Sequence, residues 1–365
     1  MPDSIHVVLV YGGQSGEHEI SLRSAASVLA NLDETRYRVT LVGMDKEGHL
    51  FVNDAKALRL LHTSELPVET PTSKPLDSLL LHSAFALAAD VVFPMVHGPL
   101  YEDGCFQGLL DLAGIAYVGS GVLSSAICMD KDMTRRIACV DDVQSTRYRR
   151  FPMRRYHKHL NTFCEETVSQ FGWPLFVKPC SMGSSVGIHK VATMDALLNA
   201  IADAGRYDED VLIEAAVVGR EIELAVLENI DPLAPPIVSI PGEICVHHPD
   251  GYYSYAAKYL DSDQTDLELP ARLSETMTQR LQHMAADIFT RLECRGMARV
   301  DFFVDDTLGE IYFNEINTLP GFTSISMYPK LMVASGMTYS SLLDHLIELA
   351  LMHRQNKNQL VTHYQ

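Results

Sequence analysis

One tryptophan, seven cysteines and only 29 lysines and arginines stand in a chain of 365 residues that carries 47 aspartates and glutamates. Each shortage excludes something. The formal charge of −18 argues against a nucleic-acid partner, which needs a positive surface. A phosphate-bearing ligand would need local cations, because the overall field repels it. The cysteines, at 105, 128, 139, 164, 180, 245 and 294, are odd in number and form no CxxC pair. They are expected to be reduced thiols in a packed cytosolic interior. Long apolar runs are also lacking. Residues 5–11 are too short for a signal peptide and open straight into Gly12-Gly13. The longest run, 79–96, is broken by His82, Ser83, Asp90 and Pro94 and falls short of the ~18 residues of a membrane span. It reads as a helix followed by a strand. A cytoplasmic protein without a membrane partner is the expectation.

What is present fits an ordinary globular protein of two to three domains: 47% hydrophobic and 21% charged residues. Residues 5–11 have the continuous apolar character of a buried parallel strand. Residues 19–32 follow with Ile20, Leu22, Val28, Leu29 and Leu32 near one helical stripe. Further strands are expected over 38–43 and 91–96, so an α/β domain ends near 125. Six cations crowd the next stretch, Arg147, Arg149, Arg150, Arg154, Arg155 and Lys158, with two histidines beside them. They read as a solvated basic surface. Beyond 174 the chain reads as strands and hairpins, with an amphipathic helix over 273–292, stopped by Gly296. A last helix spans 340–351, before a polar tail, 354–365, that should fray.

Four segments carry chemistry. Between the first strand and helix, Gly12 to Glu19 reads GGQSGEHE. It lacks the GxGxxG of a dinucleotide turn, and Glu17 and Glu19 would repel phosphate. The acids either grip an ammonium group or complement the helix dipole. The second segment, Phe176-Val177-Lys178-Pro179 and then CSMGSSVG, runs a strand with a lysine into a Gly/Ser loop. It is a phosphate loop or a flexible hairpin tip. In the third, Arg299, Asp301 and Phe303 share a face by period two, as do Phe313, Glu315 and Asn317 on the returning strand. A hairpin centred near 308 sets Asp301 opposite Glu315. Two carboxylates and an amide oxygen are hard ligands that suit Mg²⁺, and without a cation the facing acids would repel. The fourth, Thr318 to Ser326, is a loop able to offer N–H and hydroxyl groups to an anion. His97 at the end of the third strand and the aromatic run from Tyr252 to Tyr259 are open to structural readings.

Taken in order, the segments GGxSxEHEISL, VHGxxxEDGxxQGLL, GSGVLSSAxxMDKxxT, LFVKPxxxGSSVGI, GREIE, AKY, GMARVDFF and NEINTLPGFTSISMYP resemble the D-alanine–D-alanine ligases of the ATP-grasp superfamily. The resemblance implies an N-terminal Rossmann-like (pre-ATP-grasp) α/β domain, 1–125, and a two-lobed α+β ATP-grasp fold, its central lobe at 126–222 and its C-terminal lobe at 223–365. It implies ATP-dependent ligation of two D-alanine molecules through an acylphosphate, for cell-wall precursors, with two Mg²⁺ (or Mn²⁺) ions, and a homodimer. Carried over motif by motif, Lys131, Lys178 and Lys258 would contact phosphates, Glu214 and Val217 the adenine, and Glu221 the ribose. Asp301, Glu315 and Asn317 would bind metal. Glu17 would hold the first D-alanine's ammonium in a triad with Ser184 and Tyr259, near His97. Arg299 and Gly321 would stabilise the oxyanion, and Ser326 and Met327 the second carboxylate. Another ATP-grasp carboxylate–amine ligase, or a D-alanine–D-lactate ligase, is the alternative. Two departures stand out: Tyr101 replaces the glycine of HGxxGEDG, and the stretch 147–158 is unusually basic.

Overall fold

The structure, a computed structural model, describes residues 4–76, 88–156, 159–247 and 265–361, with the backbone alone at 155 and 156. Lys258, Tyr259, the aromatic run at 252–259 and the helix expected before 88 lie outside the described residues.

The first sheet is built on strands that are apolar on both faces. Strands β1 (Ile5–Gly12), β2 (Tyr37–Met44), β3 (Leu50–Asn53), β4 (Lys74–Leu76), β5 (Val91–Val96) and β6 (Ala116–Tyr117) lie in the order β4-β3-β2-β1-β5-β6. The centre, β2-β1-β5-β6, is parallel. Val7, Leu9 and Phe93 face one core, Val8, Val10 and Val92 the other. The helix Cys105–Ala113 covers the second face through Phe106 and Leu110. The first face is covered by the helix His18–Asn31 and by a helix from the far end of the chain, Tyr339–Asn358, through Leu342, Leu343, Leu346 and Ile347. That last helix runs well past the expected end at 351. Lys357 is tied to Asp111 at 2.7 Å, so the tail is ordered four residues beyond where fraying was expected to begin.

A four-stranded antiparallel sheet follows, order β10-β9-β11-β8, from β8 (Tyr148–Pro152), β9 (Leu175–Pro179), β10 (His189–Val191) and β11 (Asp210–Ala215). Its core of Val177, Val211 and Ile213 lies under the helices Leu160–Phe171 and Met194–Ala204. The basic stretch is therefore only in part a solvated surface: Arg147 and Arg154 are exposed, but Arg149 and Arg150 are half-buried in β8. Arg150 pairs with Asp132 at 2.9 Å and with Asp210. Arg149 bonds Glu166 at 3.0 Å while its guanidinium lies 4.1 Å from the Phe163 ring centre. Partners scattered over 70 residues of sequence turn a charge run into a strand.

The third sheet holds β12 (Arg220–Leu227), β14 (Gly242–Val246), β15 (Thr265–Glu268), β16 (Met297–Asp305) and β17 (Glu310–Asn317). The short β7 (Gln144–Ser145) is parallel to β17, and β13 (Ile237–Val238) pairs with β12. The amphipathic helix is Glu275–Arg291, capped by Ser274, whose hydroxyl accepts the Met277 N–H. It stops at Leu292; Glu293, at φ 54°, takes the left-handed position at its end, and Gly296, at φ 65°, turns the chain again just beyond. The helices Val122–Met129 and Lys131–Ala138 place Cys128 and Ala138 in this same core. No helix among the described residues is long and apolar enough to cross a membrane.

Where β1 meets the first helix, Gly12 sits at φ 92°, and a Cβ there would lie 2.0 Å from the Met44 carbonyl oxygen. Gly12→Ala must both adopt the left-handed region and displace backbone. A loss of about 2–4 kcal/mol is expected in denaturant titrations; a variant as stable as the parent would disprove the constraint.

Candidate active site

Glu17 ends the turn after Gly12 and Gly13 and occupies the N-cap position of the first helix without a side-chain capping bond. Its carboxylate points away from the helix and accepts a hydrogen bond from the Ser184 hydroxyl, 167 residues along. Glu19 goes elsewhere, to exposed Lys46 at 2.6 Å. Tyr101 explains its own departure from the family pattern. Its ring lies where a Cβ on Gly13 would come within 2.9 Å, and its hydroxyl accepts the Gln14 N–H at 3.2 Å. The tyrosine clamps the turn that carries Glu17.

At the end of β5, His97 is buried. Its Nδ1 lies 3.1 Å from the Leu319 carbonyl and 3.4 Å from Glu102, while its Nε2 is buried with no partner among the described residues. Burial pulls the imidazole toward neutrality, but Glu102, with Glu17 beyond it, holds its pKa above the ordinary histidine value.

The Gly/Ser segment is a hairpin connection: residues 180–188 join the antiparallel β9 and β10. Ser184 and Ser185 sit at φ 52° and 57°, a strained pair of the kind found at binding sites. Lys178 leaves β9 buried, its Nζ 2.9 Å from Glu214; burial lowers its pKa against the pull of that carboxylate. Lys131 opens its helix behind the Asp130 cap. It donates to the Met182 carbonyl at 2.6 Å and lies 3.4 Å from Glu315. Glu214 on β11 turns its carboxylate inward, to Lys178 and to Arg135 at 2.6 Å. Burial would raise its pKa, but these two cations hold it below the usual value. Val217 and Glu221 are half-buried, in the connection after β11 and at the start of β12.

The hairpin of β16 and β17 sets Asp301 opposite Glu315 and Arg299 opposite Asn317. The strict alternation expected of β17 fails. A bulge intervenes, Phe302 pairs with Phe313, and both phenylalanines turn into the core below. Glu315 and Asn317 thus share a face with Asp301 but not with Phe313, which the sequence period had placed beside them. Arg299 grips both oxygens of Asp301, at 2.8 and 2.7 Å, and lies 3.2 Å from Glu223. Despite burial, these acids keep its pKa well above its ordinary value. The oxygen set of Asp301, Glu315 and Asn317 suits a hard divalent cation; the Asn317 Oδ1 also accepts the Leu319 N–H at 2.9 Å. In the following loop Ser326 exchanges bonds with Thr323 at 2.7–3.1 Å, and a Cβ on Gly321 would come within 2.9 Å of the Ser326 hydroxyl.

Glu17, His97, Lys131, Ser184, Arg299, Glu315, Asn317, Gly321, Ser326 and Met327 all line one cavity of about 400 Å³. Lys178, Glu214, Val217, Glu221 and Asp301 stand outside its lining. Glu102, Glu223 and Thr323 also line it; Thr323 belongs to the hydroxyl loop and Glu102 to the EDG stretch after His97, while Glu223 was missed. Glu223 lies two residues beyond Glu221 in GREIE, so alternation alone could have found it. Arg135, one helical turn after Lys131, carried no signal at all.

Because the folded His97 pKa is raised, the protonated ring adds stability in full below about pH 6.5, and this is lost as pH rises through the folded value. Glu102→Gln should therefore cost more stability near pH 5.5 than near pH 8. Denaturant midpoints across that range decide it, and equal losses at both ends would sink the ion pair.

A model described as D-ala D-ala ligase N-terminus matches residues 6–120, and one described as D-ala D-ala ligase C-terminus matches 140–348. The D-alanine–D-alanine ligase of Legionella pneumophila (strain Corby) is 58% identical over 364 residues, covering 100% of both chains. D-alanine–D-alanine ligase A of Bradyrhizobium diazoefficiens is 48% identical over 370 residues, covering 98% of each. Among solved structures, the D-alanine-D-alanine ligase from Coxiella burnetii superposes with a TM-score of 0.79 at 34% identity, over 98% of this chain and 96% of that one. The VanG D-Ala:D-Ser ligase from Enterococcus faecalis gives 0.80 at 31%, over 95% and 100%. With an N-terminal and a C-terminal model both matched and relatives alike from end to end, this chain belongs to the D-alanine–D-alanine ligase family.

Proposed function

We infer that the protein is an ATP-dependent ligase that joins two D-alanine molecules for cell-wall synthesis. The observation that carries this reading is the convergence of four groups on one small cavity. These are a carboxylate fit for an ammonium (Glu17), a Gly/Ser loop, an acidic hairpin with its own arginine, and a hydroxyl loop.

We propose the following division of labour. Glu17, held by Ser184, binds the first substrate's ammonium, and Tyr259 completes that triad. The unpartnered Nε2 of His97 is available to the same substrate. The first carboxylate attacks the γ-phosphorus of ATP, forming an O–P bond as the bond to ADP breaks. The second D-alanine, held by Ser326 and the Met327 N–H and having lost a proton, attacks the acyl carbon through its amine. The C–N bond forms, inorganic phosphate leaves, and the amine's remaining extra proton passes to solvent or phosphate. Arg299 and the Gly321 N–H would stabilise the oxyanion. Lys131, Lys178 and Lys258 face phosphates. Since the Glu214 carboxylate is already engaged, Glu214 and Val217 would meet adenine through backbone, with Glu221 at the ribose. Asp301, Glu315 and Asn317 would hold two Mg²⁺ or Mn²⁺ ions, which when bound offset phosphate charge. Domain limits near 125 and 222, a cytoplasmic site of action, where ATP is at hand, and a homodimer, on the family likeness alone, belong to the same proposal.

Phosphate release from ATP should need D-alanine and be absent with L-alanine, glycine or no amino acid. With D-alanine, D-serine and D-lactate supplied equally near pH 7, D-alanyl-D-alanine should be the main product; a different main product would overturn the specificity while leaving the ligase. Asp301→Asn or Glu315→Gln should cut the rate by at least about 10²–10³, the scale of losing one oxyanion donor, with folding preserved. Near-full activity of either at ordinary Mg²⁺ would refute the metal assignment.

A further inference from the structure

Arg135 is 1% exposed and heads the largest fully buried side chains among the described residues. A guanidinium so far from water is costly unless every face of it is used. Here one nitrogen donates to Glu214 at 2.6 Å. Nε and the other terminal nitrogen both donate to the Asn314 carbonyl, at 3.3 and 3.1 Å. The plane lies 5.1 Å from the Tyr148 ring centre. One side chain therefore ties the helix Lys131–Ala138 to β8, β11 and β17.

The carbonyl it holds is not an ordinary one. Asp301 pairs with Glu315 and Phe302 with Phe313, which leaves Asn314 as the extra residue with no partner on β16. A bulge frees backbone groups from the ladder and re-aims the side chains beyond it. This one turns Phe313 down into the core and Glu315 up toward Asp301. The Arg135 fork takes the freed carbonyl, while Lys131, one turn earlier on the same helix face, reaches Glu315 itself at 3.4 Å. The remaining nitrogen fixes Glu214, whose second oxygen receives Lys178 at 2.9 Å.

We propose that Arg135 is a positioning residue for the reaction: by gripping the bulge carbonyl at Asn314 and the Glu214 carboxylate, it sets Glu315 opposite Asp301 and aims Lys178. This rests on the reading of Asp301 and Glu315 as metal-binding carboxylates. A purely structural arginine would lower stability without touching metal affinity, so the two roles separate experimentally.

The test compares Arg135→Lys with the parent and with Arg136→Ala, a control whose side chain is 62% exposed and pairs only loosely with Asp132. Lysine keeps a charge for Glu214 but has no planar fork for the carbonyl. Free Mn²⁺ is followed by electron paramagnetic resonance in the presence of ADP, and ADP binding without metal by calorimetry. Arg135→Lys should fold, bind Mn²⁺ about tenfold or more weakly, as when a residue behind a metal ligand is lost, and need correspondingly more Mg²⁺ for half-maximal rate. Metal-free ADP binding should change far less, and Arg136→Ala should match the parent throughout. Parent-like Mn²⁺ affinity in Arg135→Lys would overturn the proposal. Arg135→Gln, which keeps one donor for the carbonyl, is the second variant should the lysine form not fold, with the same expectation; loss of fold in both would make Arg135 a core residue only and count against it. Glu315→Gln separates the two levels. If it too binds Mn²⁺ like the parent, the metal reading itself fails; if it loses Mn²⁺ while Arg135→Lys does not, only the positioning role falls.

Discussion

Asp301 and Glu315 stand opposite each other across β16 and β17, and the rest of the site is arranged around the cost of that pairing. Like charges directly opposed on adjacent strands destabilise a sheet. Here Arg299 grips Asp301 with two nitrogens and Lys131 lies against Glu315. Those cations fix in turn what must stand nearby. Arg299 needs Glu223 on β12, and Lys131 needs its helix to begin against the Gly/Ser hairpin. A hairpin that would be a liability alone thus becomes the point where the third sheet, the Lys131 helix and the four-stranded sheet are held together.

The same logic reconciles a chain of charge −18 with a ligand that carries several negative charges. On the proposed reading no large positive face is needed, because the cations of the site are buried or half-buried among acids: Arg135 and Lys178 on Glu214, and Arg299 on Asp301 and Glu223. A buried charge is weakly screened, so a few such groups act strongly at short range while the surface stays acidic. The arginines of the basic stretch, half-buried at 149 and 150 and exposed at 154, serve the fold instead, joining that stretch to its neighbours through Glu166, Asp210 and Glu209.

The first sheet also reaches the site, and it does so through cross-connections more than through its own strands. Glu17 meets Ser184, His97 meets the Leu319 carbonyl, and the Ser24 hydroxyl accepts the Phe322 N–H at 3.0 Å. The last helix buries its leucines on the face of that sheet. The loop after Asn317 is thereby pinned between the two ends of the chain, and Ser326 and Gly321 are held where they close the cavity.

By itself the sequence determined the elements whose reason is local: the buried parallel strands, the amphipathic helices, the turn at Gly12, and the hairpin that brings Asp301 and Glu315 near each other, though the register that sets them opposite depends on the bulge at Asn314. It also named ten of the cavity's lining residues, because the motifs are contiguous and their spacing survives without coordinates. What it left undecided depended on partners far away in the chain. Alternation predicts the face of Phe313 only while no residue is inserted, and the bulge at Asn314 is stabilised by an arginine 179 positions earlier. The basic stretch looked solvated because its acids lie at 132, 166, 209 and 210, and the last helix looked short because its anchor is Asp111. Whether a carboxylate caps its own helix or crosses to a serine 167 residues on, as Glu17 does, is a choice between a local and a non-local hydrogen bond, and packing, not pattern, makes that choice.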